Sequence, residues 1–82
     1  MREDQLNTLQ RLRELAMLSQ KELADRLGVT KQAVWEWEHG RSKPAPAQRR
    51  NLVGILGVTP EQLLEAIEET DKQFNKELAA IG

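Results

Sequence analysis

The sequence predicts an all-α domain of five helices, and three features carry that prediction. Leu, Ala, Glu, Gln, Lys and Arg, which favour helices, are abundant, aromatic residues make up only 4%, and no segment alternates apolar and polar positions as a strand would. Residues 19–41, SQKELADRLGVTKQAVWEWEHGR, read as a capped helix, a glycine turn and a second capped helix. Glycine and proline then punctuate the rest of the chain at intervals that suit two further helices. Eighty-two residues fit one small domain, near the lower limit that an apolar core stabilises unaided.

The elements follow in order. A first helix is expected from about Asp4 to Ala16, with Leu6, Leu9, Leu12 and Ala16 on one face. Ser19 and Glu22 form the S-x-x-E capping box that opens a second helix over about 20–27. Leu23, Ala24 and Leu27 give it an apolar face, small at Ala24, and Gly28 supplies the left-handed backbone that stops it. Thr30 opens a third helix over about 31–38, closed at His39-Gly40. The prolines of S-K-P-A-P-A force an extended or turn segment before a fourth helix over about 47–56, with Leu52, Ile55 and Leu56 inward and Gly57 at its end. Thr59, Pro60 and Gln62 restart the chain as a fifth helix reaching toward Ala80: threonine caps, proline occupies a first-turn position that needs no N–H, and glutamine completes the box.

Two tryptophans orient the third helix. Trp35 and Trp37 are two positions apart, hence ~200° apart around a helix, so they cannot enter the same core. Val34 and Trp37 share a face that agrees with Ala24 and Leu27, which assigns Trp37 to the core and turns Trp35 outward. Lys31, Gln32, Trp35 and Glu36 then form the outer face. Lysine suits guanine, glutamine adenine and glutamate the amino group of cytosine, so this set suits base edges in a DNA major groove. The outward indole packs on a thymine methyl or sugar, serves a protein interface, or is covered by the first or fourth helix.

Charge divides along the chain. Residues 1–58 hold ten Lys or Arg against seven Asp or Glu, a net of +3, whereas residues 59–82 hold two against six, a net of −4. No acid occurs between Glu38 and Glu61, while Arg41, Lys43, Arg49 and Arg50 do. This is a basic stripe suited to phosphates beside the third helix, or a solvated loop of ordinary charge.

The stretch from Leu9 to Leu64 resembles the lambda-repressor/Cro-type helix-turn-helix domain of the XRE family. The carrying signs are Leu12-Arg13, the LSQ-x-ELA-x-x-LGV of residues 18–29, the W-E-x-G-x-x-x-P of Trp37 to Pro44, and the LGV of residues 56–58 followed by Leu63. The resemblance implies a five-helix lambda-repressor-like DNA-binding fold with its helix-turn-helix at 20–38, and a regulator that binds double-stranded DNA as a dimer. It implies that Gln20 meets a phosphate at a helix start. It places Lys31, Gln32, Trp35 and Glu36 at base-reading positions, Arg41 and Lys43 in a phosphate-gripping loop, and Arg13 with Glu38 in a structural ion pair. Three positions depart from the family pattern: Met17 stands where glycine is common, Arg49 and Arg50 where aliphatic residues are common, and Glu36 brings negative charge to the reading face.

Beyond the domain expected over 1–64, residues 65–82 form a helical extension. Leu64, Ile67, Asp71, Phe74, Leu78 and Ile81 recur at heptad spacing. This seam is expected to bind a second copy or another protein, or to fold back as a hook over its own core. Its acidic face is expected to point away from DNA.

Other functions find little support. Without cysteine there is no disulfide, thiolate-zinc or thiol-nucleophile chemistry. The lone His39 sits at a helix end, where it complements the dipole. No nucleophile–base set or phosphate loop occurs, so neither catalysis nor a cofactor is expected. No apolar run approaches the ~20 residues of a membrane span, and MREDQLNT lacks a signal-peptide pattern, so a cytoplasmic location is expected. The expected role is a sequence-specific repressor acting as a dimer on a partly palindromic operator. The alternatives are an antitoxin binding a toxin through its tail, and a non-catalytic protein-interaction adaptor.

Overall fold

Helices α1 (Leu9–Leu15), α2 (Gln20–Leu27), α3 (Lys31–Glu38), α4 (Pro46–Leu56) and α5 (Pro60–Ile81) make up the fold. The structure, a computed structural model, describes residues 8–81, with side chains as far as Phe74. All regular structure among them is helical.

Local chemistry fixes each boundary. Thr8 is extended (ψ 170°) and its hydroxyl accepts from the Arg11 N–H, so it caps α1, which begins at Leu9. Asp4 and Leu6 lie outside the described residues. At the other end Ala16 caps α1 and Met17 turns the chain at φ 63°, taking the left-handed conformation that glycine tolerates best. The helix therefore ends despite the departure at that position. In α2 the capping box closes both ways, Glu22 N–H to Ser19 Oγ at 3.0 Å and Ser19 N–H to Glu22 Oε1 at 2.8 Å. The Ser19 backbone N–H, then its hydroxyl, hold the Glu22 carboxyl below its ordinary pKa. Thr30 caps α3, and Thr59 with Gln62 closes a second reciprocal box at the head of α5. Pro46 occupies the first turn of α4.

Leu23, Ala24 and Leu27 of α2 and Val34 and Trp37 of α3 are buried together, and α2 packs on α3 across the small Ala24. Leu9 and Leu12 of α1, Leu18 after it, Leu52 and Leu56 of α4, and Leu63 of α5 join this core, with Ile55 half-buried at its margin. A side chain of this size contributes about 1.5–3 kcal/mol when fully buried.

One expectation is corrected at α5. Ile67, placed on the partner-facing seam, is buried in the chain's own core beside Ala66, which is 0% exposed. Thr70, 4% exposed, accepts the Leu9 N–H at 3.1 Å and donates to Ala66 O at 2.8 Å. Helix α5 thus runs unbroken past residue 64, packs on α1, and satisfies an otherwise orphaned N–H at the start of that helix. The physical reason is that a heptad stripe and an ordinary buried helix stripe share the same 3–4 spacing. Leu64 is 46% exposed. Leu78 and Ile81 lie on the last turns of α5, where side chains are outside the described residues.

Candidate nucleic-acid interface

The outer face of α3 and the loop after it gather most of the expected site residues. Burial of Val34 and Trp37 rotates the opposite face outward. Lys31 and Gln32 are exposed there, and Glu36 is half-buried within reach of Gln32, whose Nε2 donates to Glu36 Oε2 at 3.4 Å. A shallow cleft of about 300 Å³ is lined by Gln20, Lys31, Gln32 and Trp35. The start of α2 and the outer face of α3 therefore share one concave surface.

Trp35 is half-buried rather than open, and His39 and Arg41 lie against its ring. The His39 ring stacks on the indole with centroids 4.0 Å apart and planes at 20°. His39 Nδ1 lies 2.8 Å from Trp35 O; since a carbonyl only accepts, Nδ1–H donates. The Arg41 guanidinium lies 5.5 Å from the indole centroid, in cation–π range. Arg41 is thus held against the outer face of α3 while remaining exposed.

Below this surface, Glu38 is the anchor. Its carboxylate accepts from Arg13 Nε at 2.6 Å, from Arg13 Nη2 at 3.2 Å and from Gln20 Nε2 at 2.9 Å. Arg13 Nη1 donates to Leu18 O at 2.9 Å. The paired side chains are 11% and 2% exposed. The hydrogen bond to Glu38 leads in pushing the Arg13 pKa above its ordinary value, against the opposing effect of burial. Gln20 carries one amide N–H into this network, which fixes its side chain at the mouth of the cleft.

Lys43, 62% exposed, pairs through Nζ with Asp71 Oδ2 of α5 at 2.9 Å. Asp71, which the heptad spacing puts on the seam, thus reaches the loop expected to grip phosphate. Phe74 lies against Gly40 so closely that a Cβ there would stand 2.8 Å from Phe74 Cβ. His39, Asp71 and Phe74 were not singled out in the sequence as parts of this surface. The i, i+4 spacing of Trp35 and His39 is a legible signal for their contact; nothing local links 43 with 71 or 40 with 74.

Among the described residues no helix is long and apolar enough to cross a membrane, and no group of three His, Cys, Asp or Glu is placed to hold a metal ion.

The paired α2 and α3, with an outward polar face on α3 and cations in the following loop, define a helix-turn-helix DNA-binding domain. A model of the helix-turn-helix family matches residues 9–63, and the chain belongs to that family, of the Cro/C1 type, whose members are DNA-binding regulators. Neither the curated proteins nor the solved structures gave a match.

Proposed function

We propose that the chain is a sequence-specific transcriptional regulator that binds double-stranded DNA as a dimer on a partly palindromic operator, and represses by occluding a promoter. The observation that carries this reading is the α3 face, where Lys31, Gln32, Trp35 and Glu36 stand together on the side opposite the buried Val34 and Trp37. In this reading those four residues meet base edges, while Gln20, Arg41 and Lys43 meet phosphates and set the register.

The dimer is supported by a different surface. Exposed Leu64 lies in an apolar cleft of about 300 Å³ with Pro46, Val53, Pro60 and Leu63, flanked by Arg49 and Arg50 of α4. Glu61, Glu65 and Glu68 are exposed on the same side of α5 as Leu64 by helical spacing. An apolar strip with a basic edge and an acidic edge is self-complementary under a two-fold axis, which sets each basic edge on the partner's acidic one.

Selection from random duplex oligonucleotides tests the reading. The expected outcome is enrichment of a partly palindromic consensus with half-sites about one DNA turn, ~34 Å, apart, and an affinity that falls steeply with salt. A pool that stays random overturns the proposal and leaves the adaptor role.

A further inference from the structure

We infer that α5 restrains the DNA grip of the loop after α3, with Asp71 acting as a built-in competitor of DNA phosphate for Lys43; the inference rests on the DNA-binding reading proposed above. Three observations meet at this place. The Lys43 ammonium, on the basic stripe between Glu38 and Glu61, is occupied by the Asp71 carboxylate at 2.9 Å. The loop is held at that distance because Phe74, one turn further along α5, fills the space beside Gly40, whose φ of 70° makes the turn out of α3. The stretch of α5 that carries both residues is itself anchored, through Thr70, to the first turn of α1.

A carboxylate and a phosphate oxygen offer an ammonium the same charge-assisted hydrogen bond. A duplex that uses Lys43 therefore meets an ammonium already neutralised by Asp71, and whether the carboxylate shares the three ammonium hydrogens or lets go, it stands beside the phosphate and repels it. Lys43 is exposed, 62%, and Asp71 is half-buried, 28%, so the pair is weak and the restraint is graded rather than absolute. Salt screens the internal pair and the local repulsion. The restraint is consequently greatest at low ionic strength, where non-specific backbone binding is also strongest.

The test is a double-mutant cycle on the full chain, Asp71→Asn with Lys43→Ala, reading dissociation constants for the selected duplex and for a random duplex across a salt series. Asp71→Asn is expected to tighten both duplexes about two- to fivefold at low salt, the range spanned by an exposed ion pair. The gain shrinks as salt rises and is smaller in the Lys43→Ala background. Unchanged circular dichroism and melting show that the substitution left the fold intact. Wild-type binding with no gain in Asp71→Asn, or with weaker binding, overturns the restraint, the latter making Asp71 a support that positions Lys43. A gain of equal size with and without Lys43 also overturns it, since Asp71 then acts on DNA and not on the lysine. Failure of both wild type and Asp71→Asn to bind any duplex overturns the DNA-binding reading, and the restraint with it.

Discussion

Single side chains decide more here than their number suggests. Met17 is 88% exposed and held at φ 63°, so it bears the cost of a left-handed L-residue and gives back almost no packing. Met17→Gly is expected to stabilise the domain by about 1 kcal/mol, raising Tm by roughly 4–8 °C in thermal unfolding. The sequence marks the position as unusual, but whether the helix would turn there or run on depends on the Thr8-to-Ala16 geometry. On the outer face of α3, Gln32 is exposed and its amide is oriented by Glu36. Gln32→Ala is expected to relax base preference at one operator position by about 1–3 kcal/mol, whereas Lys43→Ala weakens all sequences alike. Repeating the oligonucleotide selection with each variant checks both outcomes.

At the scale of elements, caps and ties set where helices begin and how they are held. The α2 capping box depends on an ionised Glu22 accepting from Ser19. Its carboxyl is held below the ordinary pKa, so the box adds stability above the unfolded-state pKa and loses it as pH falls through the lower, folded value. Acid melts are expected to show a shallower loss of Tm with pH in Glu22→Gln than in wild type, since the amide oxygen accepts without titrating. The tie between α1, α2 and α3 is Glu38. Removing it strands the nearly buried Arg13 guanidinium and frees Gln20. Glu38→Ala is expected to cost about 3 kcal/mol in denaturant unfolding, and pairing it with Arg13→Met is expected to restore part of the loss. Boundaries of this kind are legible because Ser-x-x-Glu, Thr-Pro-x-Gln and Gly signals are local. The partnership of Arg13 with Glu38 is not: their residues stand 25 apart, and only the resemblance to a family brings them together. The same resemblance gives Gln20 a phosphate, but not its bond to Glu38.

For the whole molecule, the outcome turns on how α5 is used. Periodicity alone gives Leu64, Ile67 and Phe74 one stripe, yet Leu64 is exposed, Ile67 is in the core and Phe74 lies against Gly40. Only the three-dimensional path of α5 beneath α1 and beside the α3 loop separates these roles, and no residue pattern within α5 encodes that path. In the proposed dimer the exposed Leu64 meets a second copy. Leu64→Glu is expected to leave thermal stability within about 0.5 kcal/mol of wild type. Sedimentation is expected to shift it to a monomer, and its affinity for a palindromic duplex to fall to that for a half-site. The hydroxyl of Thr70 also closes the first turn of α1 across 61 residues of chain. A protease that frays α5 back as far as that threonine is therefore expected to unseal the first turn of α1 as well, so one cut loosens two helices.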